Sequence, residues 1–371
     1  MNKSKINMHA AVAYEGVEDF QYETLTMEAP QDNEVLVKIF GVGLCHTDLL
    51  GKNGMIPYPF PAVFGHEGAG IVEQVGKSVK KVKPGDAVVL SFRSCSYCDR
   101  CEDAEPAYCR NLLELNFTGR REDGSSALSN DKGPVSSNFF GQSSFATHAM
   151  CYESNIVKVD NNLPLQIMGA LGCGIQTGVG AVTRSLAVSK GSSILITGGG
   201  TVGLSAVMGA ALAECETVIL VEPNADRREL AASFGATLCI DPNKVENVSA
   251  HIRSQFPLGV DYAIDATGIP AVQQSAFECL GSKGTLGLVG VTPPGVSPPG
   301  SIFEMINAGI TIKGIMEGDS EPDTFIPELI EYFKAGLLPF DKMVSTYKLC
   351  DINQAVTDQH NGHAIKAILI P

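Results

Sequence analysis

Four cysteines within fifteen residues are the feature that most constrains the fold of this chain. They follow the spacing C-x2-C-x2-C-x7-C and are Cys95, Cys98, Cys101 and Cys109. Thiolates two residues apart can hold one ion from a tight turn, and four of them complete a tetrahedral shell with no open position. A chance cluster or a disulfide pair is the alternative, but four cysteines in this register favour a metal. The spacing predicts a structural zinc lobe at residues 95–109 and leaves any chemistry to another part of the chain.

Length and charge limit the architecture and the partners. A chain of 371 residues exceeds the size at which one hydrophobic core stops growing, so two domains are expected. Its 27 basic and 41 acidic side chains give a formal charge of −14, which argues against nucleic acid and membrane surfaces as partners. Met1–Met8 is polar and does not match a signal peptide, no apolar run reaches ~18–20 residues, and the cysteine count is odd. These features predict a cytoplasmic protein with reduced thiols.

A second set of metal-ligating residues is spread over the first half of the chain. Residues 8–92 hold several short strand-like runs, and among them lie the motifs C-H-T-D at Cys45 and G-H-E-G-A-G at His66. A third motif, G-C-G, surrounds Cys173. Alone, a buried and satisfied histidine is the simpler interpretation of His66. With Cys173 the three residues form a Cys2His set that leaves a fourth position open, as in catalytic zinc sites.

The second half of the chain changes to alternating strands and helices. Residues 193–197 predict a buried strand, residues 198–203 read Gly-Gly-Gly-Thr-Val-Gly, and a small-residue helix follows at 204–212. The next strand, 217–221, ends at the acidic Glu222. A glycine pattern in this context predicts a dinucleotide site, with the pyrophosphate at the helix N-terminus and Glu222 on the adenine ribose. Because a carboxylate repels a 2′-phosphate, NAD is favoured over NADP; a solvated strand-end carboxylate is the alternative.

Further strands are predicted at residues 236–240, 260–265, 285–291 and 311–315. Their alternation with helices predicts a doubly wound parallel sheet. A helix at 325–335 and a closing strand at 364–370 then return the chain to the first domain.

The motifs in this order resemble the zinc-containing medium-chain alcohol dehydrogenases over essentially the whole chain, and most closely the bacterial aryl-alcohol enzymes. The resemblance implies an α/β fold in which a Rossmann-type NAD-binding domain covers residues 174–316. A β-rich, GroES-like catalytic domain would then cover residues 1–173 and 317–371. The family's edge-strand pairing near residues 300–316 implies a homo-oligomer, either a dimer or a tetramer.

The resemblance also implies roles for single residues. Cys45, His66 and Cys173 would bind the catalytic zinc. Thr47 would take the substrate proton, Asp48 would orient His66, and Glu67 would approach the metal during ligand exchange; ordinary turn chemistry is the alternative for these three. The matched cofactor positions are His46, Thr177, Gly198, Gly200, Thr201, Val202, Gly203, Glu222, Arg227, Val289, Val291 and Lys366. For Lys366 a plain exposed lysine is the alternative, and Arg227 would allow some use of NADP.

One departure and one loop bear on the substrate. Leu50 stands where liver-type members carry a histidine that relays the proton to solvent. Residues 110–140 are expected to form a long polar loop, in which Arg120 and Arg121 are solvated. Apolar candidates for the substrate cleft are Phe92, Phe139, Phe140 and Val291.

An apolar, aromatic-rich cleft favours an aromatic primary alcohol such as benzyl alcohol, oxidised to its aldehyde with NAD. S-(hydroxymethyl)glutathione or a general primary alcohol is the alternative substrate, and the former requires cations such as Arg120 and Arg121 at the cleft mouth. A zinc-braced protein that binds NAD as a signal without turnover, or a nucleic-acid binder that uses the four-cysteine lobe, is the alternative from another functional class.

Overall fold

The computed structural model describes residues 5–371. The prediction that Met1–Met8 is no signal peptide falls partly outside these residues, because residues 1–4 are not described. Among the described residues no single helix has the length and apolar composition to span a membrane, although one bent pair, Leu165–Gly172 with Gly174–Ser185, meets both conditions.

The structure contains short strands along its whole length. In chain order the strands are β1 (Ile6–Ala13), β2 (Gln21–Met27), β3 (Glu34–Gly43), β4 (Ala62–Val63), β5 (Gly68–Val75), β6 (Ala87–Leu90), β7 (Leu128–Asn130), β8 (Gly133–Val135), β9 (His148–Tyr152), β10 (Ile156–Val159), β11 (Ser193–Thr197), β12 (Thr217–Val221), β13 (Leu238–Ile240), β14 (Val260–Asp265), β15 (Leu280–Leu288), β16 (Thr311–Gly314), β17 (Val344–Lys348) and β18 (Lys366–Ile370).

The α-helices concentrate in the second half of the chain. They are α1 (His46–Lys52), α2 (Asp99–Glu102), α3 (Leu112–Phe117), α4 (Leu165–Met168), α5 (Gly174–Gly180), α6 (Thr201–Leu212), α7 (Ala225–Ser233), α8 (Val248–Gln255), α9 (Pro270–Glu278), α10 (Ile302–Ala308), α11 (Pro322–Lys334) and α12 (Ile352–His360).

The chain divides into two compact units. The first runs up to Cys173 and includes Glu321–Glu331 and Asp341–Pro371, and the second comprises Gly174–Ser320 and Tyr332–Phe340. That residues 174–316 form the cofactor domain and the rest of the chain the catalytic domain stays a prediction.

The first unit is built from two sheets around one hydrophobic core. A five-stranded sheet has the order β4-β1-β2-β7-β8, and a second sheet has the order β10-β6-β5-β3-β18-β17, with β9 also paired to β3. Most neighbours are antiparallel, and the inner faces of β1 and β3 carry fully buried aliphatic residues such as Val12 and Val37. The predicted β-rich lobe is confirmed.

The second unit holds one six-stranded parallel sheet. Its order is β13-β12-β11-β14-β15-β16, so the strand order runs outward from β11 in both directions. All five strand pairs are parallel, with Ser193 opposite Thr217 at the start of the β11–β12 pair. This arrangement requires helices on both faces and confirms the predicted doubly wound sheet. It also brings the carboxyl ends of all six strands to one edge.

Three sequence predictions about local structure are wrong in detail. The strand predicted at residues 285–291 begins at Leu280 and ends at Leu288, because the N–H groups of Val289 and Gly290 leave the ladder and both donate to the carbonyl of Asp265, at 3.0 and 2.9 Å. The region near residues 300–316 contains α10 before its edge strand, which is limited to β16. A capping box between Ser301 and Glu304 starts this helix, and it was visible in the sequence.

The third error concerns residues 110–140, which are not a continuous polar loop. They contain α3 and the β7–β8 hairpin. Asn116, on α3, is fully buried, and its side-chain amide both accepts from the Arg93 N–H and donates to the Arg93 carbonyl, at 2.9 Å in each case. These bonds tie α3 to the segment before the four cysteines.

Candidate active site and cofactor site

The four-cysteine lobe gathers its thiols as the sequence predicts. The Sγ atoms of Cys95, Cys98, Cys101 and Cys109 lie within 4.8 Å of one another. Backbone N–H groups point at the sulfurs: Cys98 N donates to Cys95 Sγ at 3.3 Å, and Arg110 N donates to Cys98 Sγ at 3.5 Å. The bond from Arg110 lowers the pKa of Cys98 to about 6, although the limited desolvation opposes this shift. Four sulfurs with a partly ionised member fit one tetrahedral zinc ion.

A second cluster lies in the same unit and combines different ligand types. Its ligand atoms, from Cys45, His66, Glu67 and Cys173, also lie within 4.8 Å of one another. Cys45 caps the start of α1, His66 and Glu67 lie in the turn before β5, and Cys173 lies directly before α5. The cluster therefore joins chain segments more than a hundred residues apart, which the four-cysteine lobe does not.

Asp48 holds this mixed cluster together. It is fully buried, and its Oδ1 atom accepts from His66 Nδ1 at 2.8 Å and from the Gly65 N–H at 3.0 Å. Its Oδ2 atom accepts from the Cys45 N–H at 3.0 Å. These bonds fix the ring so that His66 Nε2 is the free nitrogen, and this buried atom has no hydrogen-bond partner within residues 5–371. A buried imidazole nitrogen without a partner, beside two thiols, fits a metal ligand.

The protonation state of Cys45 also fits a metal. A hydrogen bond with the Cys173 thiol, together with the adjacent His66, holds the pKa of Cys45 well below its ordinary value, although burial opposes this shift. Since the thiolate is the form that binds metal, the cluster is prepared for a cation. Two sulfurs and one imidazole suit zinc, and a Glu67 carboxylate oxygen lies within 4.8 Å of the other ligand atoms, while its role in ligand exchange stays a prediction.

Glu67 and Lys366 form a buried ion pair beside the mixed cluster. Both side chains are almost completely buried, and Lys366 Nζ also donates to the Leu44 carbonyl at 3.3 Å. Burial raises the pKa of Glu67 to about 7, and the charge of Lys366 opposes this rise. Gly43 makes room for the pair, since a Cβ atom there would lie 2.0 Å from Glu67 Oε2. The alternative of a plain exposed lysine at position 366 is therefore wrong.

Gln142 is a supporting residue that the sequence analysis missed. Its side chain is buried, and its Nε2 donates to the carbonyls of His66 and Ser91 at 2.9 and 3.0 Å. Its Oε1 accepts from the Gly68 N–H at 3.1 Å. A single amide thus fixes the backbone on both sides of Glu67. Its position in Phe-Phe-Gly-Gln, after two predicted cleft residues, was the only sequence signal.

The apolar candidates for the substrate cleft differ in their placement. Phe140 stacks on the His66 ring, with a centroid distance of 4.4 Å and an interplanar angle of 20°. Phe139 packs edge-on behind it at 5.0 Å, but it is fully buried, as is Phe92, so neither side chain presents a surface that a ligand could contact. Val291 is 57% exposed and belongs to the other unit. Phe140 is therefore the candidate that lies against the mixed cluster.

Thr47 and Leu50 lie one turn apart on α1. Cys45 Sγ lies 3.7 Å from Thr47 Oγ1, which places this hydroxyl beside the cluster. Leu50 is 7% exposed, so the position of the missing relay histidine is occupied by a buried apolar side chain. His46, predicted to contact the cofactor, is exposed at the start of the same helix, and that role remains a prediction.

The glycine turn after β11 has the geometry that a pyrophosphate requires. Gly198 has a φ of +92°, and a Cβ atom on Gly203 would lie 1.8 Å from the Gly198 carbonyl oxygen. Gly200 caps α6, and nothing in the described part of the chain lies within 4 Å of the position its Cβ would take. The turn is thus closed on one side by backbone and open at the N-terminus of α6, formed by Thr201 and Val202. Free backbone N–H groups at a helix N-terminus that a ligand can reach are suited to binding an anion such as pyrophosphate.

Glu222 lies at the end of β12 beside this turn. Its Oε2 atom accepts from the Gly199 N–H at 2.6 Å, and its Oε1 atom accepts from the Asn224 N–H at 2.8 Å. The alternative of a solvated strand-end carboxylate is wrong, since Glu222 is only 5% exposed. Arg228, which the sequence analysis did not select, donates to the Glu222 carbonyl at 2.7 Å and holds the strand end.

A cavity of about 740 Å³ opens beside Glu222 within the second unit. The glycine turn, Arg227 and Thr267 line it, with apolar surface from Ile269 and Val272. A carboxylate at one end, an open helix N-terminus and an apolar floor fit the adenosine half of a dinucleotide. Thr177 and Val289 lie in the same unit, in α5 and directly after β15, and their contact with the nicotinamide stays a prediction.

Arg120 and Arg121 were both expected to be solvated, and they differ in how far the structure buries them. Arg121 is buried, and its guanidinium donates to both carboxylate oxygens of Glu34, at 2.7 and 2.8 Å, and to Glu28 at 3.2 Å. The expectation that it is solvated is wrong, and its charge is already paired. Arg120 is half-buried and donates to the Gly119 carbonyl at 3.4 Å.

Two family models match the chain. The model described as "Alcohol dehydrogenase GroES-like domain" matches residues 31–161, and the model described as "Zinc-binding dehydrogenase" matches residues 201–334. The first supports the predicted GroES-like fold, and together they account for most of both units.

Individual relatives match almost the whole chain. A geraniol dehydrogenase of Castellaniella defragrans is 43% identical over 366 residues, 98% of each chain. The crystal structure of benzyl alcohol dehydrogenase from Acinetobacter calcoaceticus has a TM-score of 0.94 and 39% identity, and the match covers 98% of this chain and 99% of the other. An S-(hydroxymethyl)glutathione dehydrogenase of Paracoccus denitrificans is 32% identical over 371 residues, 97% of this chain and 99% of its own.

Proposed function

The chain belongs to the zinc-containing medium-chain alcohol dehydrogenases, and on this premise we propose that it oxidises aromatic primary alcohols of the benzyl alcohol type to their aldehydes with NAD. Its activity as a zinc-dependent alcohol dehydrogenase follows from the family. The substrate class and the roles of individual residues are the proposal.

We propose that Cys45, His66 and Cys173 hold the catalytic zinc, and that Cys95, Cys98, Cys101 and Cys109 hold a structural one. The unpartnered His66 Nε2 atom and the low pKa of Cys45 support the first assignment. When bound, the catalytic zinc supplies a Lewis acid for the alcohol oxygen, and NAD supplies the hydride acceptor.

The protein's own residues then have three tasks. Thr47 Oγ1 would accept the hydroxyl proton of the alcohol and pass its own proton onward, while the C–H hydrogen leaves as hydride, so that one alcohol and one NAD⁺ give one aldehyde, one NADH and one proton released to solvent. Asp48 accepts a hydrogen bond from His66 Nδ1 and so keeps the ring oriented with Nε2 facing away from the Asp48 carboxylate. Phe140 covers the imidazole face and keeps water from it.

We propose that Glu222 selects NAD, since its two oxygens already accept backbone bonds and would repel a 2′-phosphate. The remaining cofactor contacts are proposed for the predicted residues, and Arg227 is the group through which some NADP use would occur. Lys366 keeps its proposed role near the cofactor phosphate, and its pairing with Glu67 links that position to the mixed cluster.

The stacking of Phe140 on His66 is the observation that carries the choice of an aromatic substrate. It gives the mixed cluster an aromatic wall next to the proposed zinc ligand, reinforced by Phe139 and by Phe117, whose ring lies 5.1 Å from that of Phe140. A flat ring packs well edge-on or offset against such a surface. Polyols have no comparable partner there.

A geraniol-type alcohol is a second candidate, supported by the 43% identical relative. Geraniol and benzyl alcohol both carry the hydroxymethyl group on an unsaturated carbon, so the same aromatic wall would serve both. S-(hydroxymethyl)glutathione or a general primary alcohol remains the alternative. The pairing of Arg121 with Glu34 and Glu28 weighs against the glutathione adduct, because its carboxylates would lack this cation.

The test is NADH formation with benzyl alcohol, geraniol, ethanol, sorbitol, and formaldehyde with glutathione, by protein of known zinc content. We expect kcat/KM for benzyl alcohol to exceed that for ethanol by about 100-fold, as a buried ring contributes roughly 2–3 kcal/mol. Phe140→Ala should reduce this ratio, and Phe117→Leu should change it less. Preference for the glutathione adduct would contradict the substrate proposal, and binding of NAD without turnover on any alcohol would favour the sensor alternative.

We also propose that the chain forms a homo-oligomer through the edge of its parallel sheet. Next to the edge strand β16, helix α10 exposes Ile302, Phe303 and Ile306, each at least 75% accessible. Such a cluster is typical of a contact surface, and a second copy is the proposed occupant because the sheet edge beside it can pair across a two-fold axis. Light scattering should show that Phe303→Glu lowers the mass, whereas Leu258→Glu, at an isolated exposed leucine, should not.

A cytoplasmic location is proposed from the cysteines. Within residues 5–371 none of the eleven cysteines forms a disulfide, and two groups of them lie close enough for metal binding. Reduced thiols of this number fit a reducing compartment.

A further inference from the structure

The mixed cluster offers one ligand more than an open zinc site needs. Cys45, His66 and Cys173 supply three ligand atoms, and a carboxylate oxygen of Glu67 lies within 4.8 Å of them. Zinc held by four protein ligands is saturated, as in the four-cysteine lobe, and has no position for a substrate. A site that binds an alcohol therefore requires a group that keeps Glu67 out of the coordination shell.

Glu67 differs from the other buried carboxylate of this region in what it contacts. Both oxygens of Asp48 are engaged by hydrogen bonds, from His66 and from backbone N–H groups. Glu67 is fully buried as well, but its Oε2 atom pairs with the ammonium group of Lys366, and its Oε1 atom has no hydrogen-bond partner within residues 5–371. A buried oxygen of this kind is available to a cation. The metal and Lys366 therefore compete for the same carboxylate.

The end of β3 holds both members of this ion pair in place. The Gly43 N–H donates to the Glu67 carbonyl at 3.0 Å, and the Leu44 N–H donates to the carbonyl of Ala367, next to Lys366, at 2.9 Å. Lys366 Nζ in turn donates to the Leu44 carbonyl. With only 1% of Lys366 exposed, its ammonium group is kept at the carboxylate and away from solvent.

The charges of the site give this ion pair a consequence for the metal. Two thiolates and one neutral imidazole balance the charge of Zn²⁺, so an anionic fourth ligand would leave a buried net negative charge. Lys366 balances the charge of Glu67 separately, outside the coordination shell. Without that ammonium group the metal would be the remaining cation beside Glu67, and an unpaired buried carboxylate is costly.

On the basis of the proposed zinc site, we propose that Lys366 is a positioning residue that keeps Glu67 from occupying the fourth position of that site. The ion pair lowers the affinity of the carboxylate for the metal, so the position stays open to the alcohol oxygen. Lys366 acts through Glu67 and does not contact the reacting atoms. This role is separate from a contact between Lys366 and the cofactor phosphate, since it operates in the absence of cofactor.

The test is the binding of imidazole to protein loaded with cobalt(II), followed by the d–d bands without alcohol or cofactor, because imidazole must compete with Glu67 for the fourth position. For Lys366→Met, which keeps the apolar stem but removes the charge, we expect the Kd of imidazole to rise at least about ten-fold. Lys158→Met is the matched control in the same unit. It removes a half-exposed ion pair with Asp86 and should change this Kd by less than about two-fold.

Removal of the competing carboxylate should rescue the lysine variant. In the double variant Lys366→Met with Glu67→Gln, the Kd of imidazole should return to within about three-fold of the value for the unsubstituted protein. If Lys366 served only to hold the fold together, substitution of Glu67 would not restore imidazole binding.

Two results overturn the inference: an unchanged Kd in Lys366→Met, and a raised Kd that persists in the double variant, because the effect would then not pass through Glu67. If Lys366→Met does not fold, Lys366→Gln replaces it. This variant can still hydrogen-bond to the carboxylate, and a rise of about three-fold or more is expected, whereas no rise overturns the inference. Failure of the unsubstituted protein to bind cobalt at the mixed cluster would instead overturn the proposed zinc site.

Discussion

The two cysteine clusters of the first unit contain the same reactive group but are built in opposite ways. The four-cysteine lobe takes all its sulfurs from fifteen consecutive residues, and most of these are partly exposed. The mixed cluster takes two thiols, one imidazole and one carboxylate from three distant segments, and its His66 and Glu67 are fully buried. Around the first cluster lie backbone N–H groups, and around the second lie buried charges such as Asp48 and Lys366.

Under the proposed assignment, this difference separates a role in stability from a role in chemistry. Four identical ligands held by a local turn saturate an ion and leave no position for a substrate. A mixed set held by long-range contacts leaves a position free, but it depends on supporting residues such as Asp48 and Gln142 to keep its geometry. Substitutions in the two clusters should therefore have different consequences, and the following predictions run from the largest expected effect to the smallest.

The largest effect is expected from Cys173→Ser in the mixed cluster. Turnover of benzyl alcohol should fall by at least about 1,000-fold, because the Lewis acid is lost or misplaced. Bound zinc, measured by atomic emission, should fall from about two to about one per chain. Retention of both zinc ions with normal turnover would remove this cluster from the chemistry. Circular dichroism should show an unchanged fold.

In the four-cysteine lobe, Cys98→Ser should reduce stability and leave the chemistry largely intact. We expect a loss of roughly 3 kcal/mol in the free energy of unfolding, seen as a melting temperature lower by about 5–10 °C. At low temperature, kcat per folded molecule should stay within about three-fold of the original value. A loss of turnover as large as that of Cys173→Ser, with the fold intact, would contradict the division of roles.

A pair of carboxylate variants compares the supports of the two clusters. Asp48→Asn weakens the hold on His66 and should lower zinc affinity and kcat/KM by about 10- to 100-fold. Asp99→Asn, in the four-cysteine lobe, removes an exposed ion pair with Arg110 and should change both by less than about two-fold. Equal effects in the two variants would mean that Asp48 is only a turn residue.

The smallest effect concerns the hydroxyl proton of the alcohol. Under the proposed assignment this proton has to leave the mixed cluster, whereas the four-cysteine lobe releases none. Leu50 is buried one turn after Thr47 and cannot carry a proton, so Leu50→His should restore a path to solvent. We expect kcat at neutral pH to rise by about two- to three-fold, with a smaller gain at high pH where hydroxide accepts the proton directly. A pH profile and the solvent isotope effect on kcat measure this. An unchanged profile would mean that the proton leaves by another route.

The same comparison explains what the sequence could predict. Ligand spacing within the four-cysteine lobe and the glycine turn before α6 are local, so their geometry follows from a few consecutive residues. The mixed cluster was found through its ligand types and its support Asp48 through the family resemblance, but its support Gln142 was not found. Gln142 meets His66 across 76 positions of the sequence. Such contacts depend on how strands and helices pack, and composition or periodicity carries no signal for them.

Errors in the prediction have the same origin. Phe92 and Phe139 were chosen for the cleft because they are apolar, and the structure uses both in the core. Arg121 was expected in solvent because it lies in a polar stretch, yet it pairs with Glu34, which is 87 positions away. Residue type indicates what a side chain can do, and its neighbours in space decide which of these uses applies.

The most direct test of the two roles is cobalt(II) substitution of both clusters, followed by optical spectra with and without alcohol and NADH. The two-cluster assignment predicts two cobalt ions per chain, of which only one changes its d–d bands on adding ligand. In Cys173→Ser that response should disappear while the thiolate charge-transfer bands of the four-cysteine lobe remain. A ligand response that survives in Cys173→Ser, or one that vanishes in Cys98→Ser with folded protein, would contradict the assignment of the chemistry to the mixed cluster.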